Sequence, residues 1–386
     1  MPDPHLTRQA VFDRHLGVFG YTIQVRSGDE ELLMGAPAGL GPFMQGKKAF
    51  LGLSRRLLPA ELAKLVPPSQ AVVELLAPPE PDPAVADRCR ELQKRGTLIA
   101  VDAATAKRNV VPADIVKVDF RSTDEREQAS CVQRYAKPNV KLLAARVDSH
   151  GELERARKLG YPLVEGLFFL KPHEEVRKEI PKFKLNYLRI LQKVNEPDIR
   201  YEELDGLIRQ DLALSLKLLR YVNSAMFALP QKVESIRQAI ALVGISEIRR
   251  WACLLALAAM CEDKPQQLIV TSLVRARFCE QIGQAAGLTN VDFELFLTGL
   301  LSAVDAILDR PILEVLHDLP LSAEVKSALL GKKYGHGRVL GLALAYERAE
   351  WDVLSIAKAD LELDPARLPA FYREAVLWTS QVFVPR

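Results

Sequence analysis

The apolar pattern of this chain changes character once, near residue 180, and that change constrains the fold more than any other feature. Before it, short runs rich in Val, Ile, Leu and Ala alternate with helical or loop segments. Ala10–Phe12, Tyr21–Val25, Ala49–Leu53, Ala71–Leu76, Leu98–Val101, Ile115–Val118, Lys141–Ala144 and Leu163–Val164 read as strands. One helix ends over Glu91–Arg95 before Gly96, and another opens at Ser149 or Gly151 and closes at Gly160. Strands alternating with helices predict a mainly parallel sheet, and this number of them predicts a barrel. After residue 180 nearly every segment has helical spacing, with Lys182–Val194 as a connecting helix. A chain of 386 residues is long for one core, so the reading is α/β plus all-α, with domains over 1–180 and 181–386.

Composition narrows the function classes. An apolar content of 48% supports a fully folded chain, and a net charge of +3 is too slight to imply nucleic acid or an anionic membrane as partner. Cys89, Cys131, Cys253, Cys261 and Cys279 form no CxxC pair and are odd in number, which suits a reduced cytosol. The opening MPDPHLTRQ has no apolar run, so no signal peptide is expected. The charge-free stretch Trp251–Cys261 is too short to span a bilayer. A cytoplasmic protein without membrane insertion is expected.

In the helical half, Leu212, Leu216, Leu219 and Val222 form one apolar stripe, which Asn223-Ser224 interrupts. Ser235 can cap a helix through Ile236, Ile240 and Val243 that stops at Gly244, and Ser246 can cap the next, with Glu247 suited to its first turn. Asn223-Ser224 reads either as a helix-ending turn or as a docking signature. Arg237, Arg249 and Arg250 read either as a solvated helical face or as a basic rim around an apolar patch where a partner docks. Tyr346, Trp351, Tyr372 and Trp378 read as core. His317-Asp318 is a literal HD pair. The only other histidine after residue 180 is His336, so a helix-end polar pair is the expected role.

Two resemblances follow from particular residues. LLRYVNSAMFALPQKVESIRQAIALVGISEIRRW, Leu218–Trp251, resembles the core of an HDOD domain, a signalling relative of HD-type metal phosphohydrolases that generally lacks their metal ligands. The metal pair of that scaffold follows a G-L-L run, here Gly299-Leu300-Leu301, and is replaced by Ser302-Ala303. RQAVFDRHLGVFGYTIQVR (Arg8–Arg26), AFLGLS (Ala49–Ser54), VVELLA (Val72–Ala77), LIAVDAAT (Leu98–Thr105), ADIVKVD (Ala113–Asp119), LLAARVDS (Leu142–Ser149) and EGLFFLKP (Glu165–Pro172) resemble, in order, the landmarks of an EAL domain. That family is a (β/α) barrel phosphodiesterase of cyclic di-GMP. The expected fold is therefore a shortened, degenerate EAL-type barrel followed by an HDOD helical bundle. Gly and Pro are too frequent between Arg26 and Lys47 for the usual helix, and Ser54–Pro67 is short. Missing helices would expose barrel sides, to be covered by the second domain or by another subunit of a homo-oligomer.

The resemblance also implies a site, from which this chain departs. The signature glutamate falls on Thr22, the third-strand asparagine on Gly52, the second glutamate of E-x-x-E on Ala77, and one of the paired aspartates on Ala103. The glutamate held to be the base falls on Ala145, the later glutamate on Asp148, and the glutamine of Q-G-Y on Glu165. Glu74 and Asp102 remain of the metal ligands, and two carboxylates give a hard cation little affinity. No metal, no cofactor and no enzyme activity are expected on this ground. Lys117 reads as a ligand contact or as a salt bridge to Asp102 or Glu74. Gln9, Arg26, Asp102, Lys117 and Asp119 are the candidates for residual nucleotide contact, although cyclic di-GMP binding is not the favoured expectation. The favoured function is a non-enzymatic signalling regulator that acts on a protein partner of unknown identity, in or near cyclic di-GMP signalling. The alternative is a cyclic di-GMP receptor or weak phosphodiesterase.

Overall fold

Eight strands close into one barrel in sequence order. They are β1 (Leu6–Asp13), β2 (Val18–Val25), β3 (Lys48–Leu53), β4 (Ala71–Leu75), β5 (Leu98–Asp102), β6 (Ile115–Asp119), β7 (Lys141–Ala145) and β8 (Leu163–Glu165). All eight lie on the runs expected from the sequence. β1 runs antiparallel to both β2 and β8, and the other six pairings are parallel. The computed structural model describes residues 4–29, 40–53, 65–75, 83–108, 111–173, 184, 187, 190–191, 193–194, 196, 199–209, 212–223, 231–319, 321–354 and 360–383. Most of the expected connecting helix, Ser224, most of Ser54–Pro67 and residues 30–39 of Arg26–Lys47 lie outside these residues.

Strand alternation fills the barrel. Val11, Phe50, Val72, Ala100, Ile115, Leu143, Ala145 and Leu163 form one buried cluster in its interior. Because side chains two apart share a face, Gly52, Glu74, Asp102, Lys117 and Glu165 make the next step towards the carboxyl ends of the parallel strands. The interior is thus apolar below and polar above. Around the barrel run α1 (Gly41–Met44), α2 (Pro83–Lys94), α3 (Ala103–Arg108), α4 (Glu125–Tyr135) and α5 (His150–Leu159). Ser149 and Glu152 form a capping box at the start of α5, and Gly160 closes it at φ 88°. At Gly166, a Cβ would lie 1.8 Å from the carbonyl oxygen of Val147, so only glycine fits after β8.

The chain divides into two compact units. The first comprises Met1–Lys171 together with Ala345–Ser355 and Asp364–Arg373. Within it the late segments seal the start of β1. Thr7 Oγ1 donates to the Glu347 carbonyl and the Tyr372 hydroxyl, at 3.1 and 3.2 Å. His5, Tyr346, Trp351 and Tyr372 form an aromatic group with neighbouring ring centroids 5.1 to 6.3 Å apart.

The second unit comprises Pro172–Leu344, Ile356–Leu363 and Glu374–Arg386 and is helical throughout its described residues. Its helices are α6 (Tyr201–Arg209), α7 (Leu212–Val222), α8 (Ile236–Val243), α9 (Ile245–Met260), α10 (Gln266–Ala285), α11 (Asp292–Leu300), α12 (Val304–Leu308), α13 (Ile312–Asp318) and α14 (Ala323–Leu329), with parts of α15 (His336–Glu347) and α16 (Leu368–Val382). α10 and α11 approach so closely at Gly299 that a Cβ would meet the Arg275 carbonyl oxygen at 2.3 Å. Ser235 caps α8 as expected, accepting from the Gln238 amide at 3.2 Å. Ser246 does not cap the next helix. Gly244, at φ 85°, is the cap, and α9 already begins at Ile245, which places Ser246 inside the first turn.

Candidate functional site at the barrel mouth

The polar step of the barrel is organised by one ammonium group. Lys117 on β6 places Nζ 2.9 Å from Glu74 Oε1 on β4 and 3.0 Å from Glu165 Oε2 on β8. It also lies 3.0 Å from Glu74 Oε2. Alternate strands supply one layer of a closed barrel, so β4, β6 and β8 bring these three side chains to the same height. Their side chains are 17%, 13% and 7% exposed for Glu74, Lys117 and Glu165. Burial pushes the Glu74 carboxyl up, the Lys117 ammonium pulls it down, and the neighbouring Glu165 carboxylate pushes it up again; the net direction is upward. Burial opposes the charge on Lys117, but the two carboxylates more than offset it and hold its pKa above the ordinary lysine range. Of the two salt-bridge partners expected for Lys117, Glu74 is present, and Glu165 is a partner the sequence reading did not foresee.

The other candidates do not join this group. Asp102 is exposed at the end of β5 and accepts from the Thr105 amide at 2.6 Å, capping α3. Asp119 accepts from the Arg121 and Ser122 amides at 3.0 and 3.3 Å and pairs with Arg146. Gln9 is half-buried on β1, opposite Thr22 of β2. Arg26 pairs with Asp29 at 3.0 Å, beyond the end of β2. Burial pushes the Asp29 carboxyl up. The His5 amide, at 2.8 Å, and the Arg26 and His5 side chains pull it down further, and the net direction is down.

Two cations at the mouth escaped the sequence reading. Arg146 follows β7 and pairs with Asp119, and Arg121 follows β6 and pairs with Asp148, with side chains 53% and 65% exposed. Arg146 adopts φ 57°, a left-handed backbone uncommon outside glycine. Their signal was positional. Both stand directly after the carboxyl end of a parallel strand, where a barrel places its binding groups.

A barrel of the EAL type implies divalent cations at this mouth, and the residues present do not fit them. Among the described residues no three His, Cys, Asp or Glu side chains stand where they could share a metal ion. Gly52 and Ala145 supply no side-chain oxygen, and the two buried carboxylates are taken up by Lys117.

In the helical unit the candidate docking residues are mostly engaged internally. Asn223 donates from Nδ2 to the Leu219 and Val233 carbonyls, at 2.7 and 2.8 Å, and accepts from the Val233 amide at 2.8 Å. It thereby ties the end of α7 to the approach to α8. Arg249 donates to the Val194 carbonyl at 2.8 Å and lies 4.2 Å over the Phe293 ring. Arg250 reaches Glu280, which is fully buried and is also held by Arg277 at 2.7 Å. Arg249 and Arg250 therefore do not form a free rim, and of the three arginines Arg237 alone is exposed. His317 is exposed on α13. Tyr346 and Tyr372 are buried as expected.

Comparison with known proteins adds to this geometry. Residues 180–308 match the HDOD domain family, as the sequence led us to expect. The chain is 28% identical over 400 residues to the uncharacterized protein YuxH of Bacillus subtilis, covering 97% of each chain. It is 28% identical over 350 residues to the cyclic di-GMP phosphodiesterase CdgJ of Vibrio cholerae, covering 89% of this chain and 81% of that one. Among solved structures, an EAL domain protein from Listeria monocytogenes covers 43% of this chain and 87% of its own at 15% identity, with a TM-score of 0.37. A standalone EAL protein from Vibrio cholerae in its c-di-GMP-bound form covers 43% and 90% at 18% identity, with a TM-score of 0.36. One expectation falls here. The missing ligands led to the reading that the chain is not an enzyme, yet a relative aligned with most of its length is a phosphodiesterase, which points to a family of enzymes. No described helix is long and apolar enough to cross a membrane.

Proposed function

We propose that this chain, a closed barrel joined in sequence to an HDOD domain, acts in cyclic di-GMP signalling and that its barrel mouth takes the dinucleotide. The observation that carries the reading is the polar step at the carboxyl ends of the strands, with Lys117 at its centre and Arg121 and Arg146 beside it. A guanidinium meets a phosphate with two parallel hydrogen bonds, and both arginines are exposed enough to exchange a carboxylate for one. The name of the relative CdgJ supports the choice of dinucleotide. The helical unit is then the output, through contact with a signalling protein. The exposed groups that suit such contact are Arg237 and Leu242 on α8 and Leu216 on α7.

Thermal melting of the full chain with and without cyclic di-GMP tests the reading, because a ligand that binds only the folded form must stabilise it. A saturable rise in melting temperature is expected, and product analysis of the same samples reads any hydrolysis. A flat response at millimolar dinucleotide would overturn the proposal.

A further inference from the structure

The barrel interior carries two buried carboxylates that converge on one point, and that point is filled by the chain itself. Lys117 Nζ lies 2.9 and 3.0 Å from the two oxygens of Glu74 and 3.0 Å from Glu165 Oε2. The ammonium thus hydrogen-bonds one oxygen of Glu74 and stands in ion-pair contact with the other and with Glu165. A divalent cation entering here would have to expel the ammonium into a barrel that is apolar below, and would find few replacement oxygens. Gly52 and Ala145 offer none, Asp102 is bound to the Thr105 amide, and Asp119 is bound to Arg146. A hard cation that keeps part of its water shell still anchors on one or two carboxylates, and here both are engaged by the ammonium. Losing the ammonium would also leave two carboxylates buried side by side, and such groups are costly to keep ionised.

We infer that the Lys117 ammonium takes the place of a divalent cation in this barrel, neutralising Glu74 and Glu165 from within, so that the mouth recognises its ligand without added metal. The inference rests on the proposed function only for the identity of that ligand. Two consequences follow. The wild-type chain should hold no divalent cation at this point. Removing the ammonium should create a site, because Glu74 and Glu165 are then left converging with nothing between them.

Manganese titration of the full chain, followed by electron paramagnetic resonance of the free ion, tests both consequences. The wild type should show no saturable binding below about 1 mM. Lys117→Met should bind Mn²⁺ at least about tenfold more tightly, and Glu74→Gln in that background should abolish the gain. One manganese bound by the wild type and lost in Glu74→Gln would overturn the inference. So would a Lys117→Met protein that melts cooperatively yet gains no manganese. If Lys117→Met does not fold, the wild-type titration still decides. A second arm measures cyclic di-GMP affinity in EDTA and in Mn²⁺, with equal values expected and a tenfold gain in Mn²⁺ contradicting. Absence of dinucleotide binding in both would sink the functional reading and leave the manganese result standing.

Discussion

At the scale of single residues, Lys117 decides the state of the barrel interior. Replacing it with methionine keeps the length of the side chain but strands Glu74 and Glu165. Breaking a buried pair in this way costs about 3–5 kcal/mol, so the urea midpoint of Lys117→Met should fall well below that of the wild type. Lys117 has a folded-state pKa above its ordinary value of 10.5, so its stabilisation is fully present below 10.5 and is lost only as pH rises through the higher folded value. Asp29 shows the opposite sign. Its folded pKa lies below the ordinary 3.8, so its contribution is present above 3.8 and is lost as pH falls through the lowered value. Asp29→Asn should therefore be less stable at neutral pH, with the difference from the wild type shrinking on acidification below 3.8. A difference that is constant with pH would show that the carboxylate charge is not the cause.

At the scale of elements, the strands were legible because each is a short β-rich run closed by turn residues; which side chains point inward follows from alternation along each strand. Glu165 could have been found in the same way, two residues after the buried Leu163 on β8. Its pairing with Lys117 was not legible, since that needs the closure of β4, β6 and β8 into one layer. The helix caps were legible where a hydroxyl reaches the third amide, as at Ser235, and failed at Ser246, where the left-handed freedom of Gly244 starts the helix earlier. The role of Asn223 was visible as a turn but not as a bracket between α7 and α8. Asn223→Ala should cost about 1–3 kcal/mol, read as a lower urea midpoint, because the Val233 amide loses its acceptor. Arg250 is a sharper case. As a surface cation, its reversal would leave the melting temperature almost unchanged. Set against buried Glu280, Arg250→Glu should lower it markedly, and an unaltered melting curve would contradict the packing of α9 against α10.

At the scale of the whole molecule, the change from short β-rich runs to helical spacing is a change of fold class, and the first break between the two compact units falls after Lys171. The membership of Ala345–Ser355 and Asp364–Arg373 in the barrel unit was not legible. Their Tyr346, Trp351 and Tyr372 read as core, but nothing in the local pattern tells which core a distant segment joins. The absence of enzymatic function, argued from missing ligands, was overturned by likeness along most of the chain to a phosphodiesterase. The central claim is that the barrel mouth takes cyclic di-GMP, and isothermal titration of the full chain measures it most directly. The account predicts saturable binding of the dinucleotide in the micromolar range, weakened at least about tenfold in Arg121→Ala/Arg146→Ala. Heats no greater than dilution with the wild type, or equal affinity in the double variant, would contradict it.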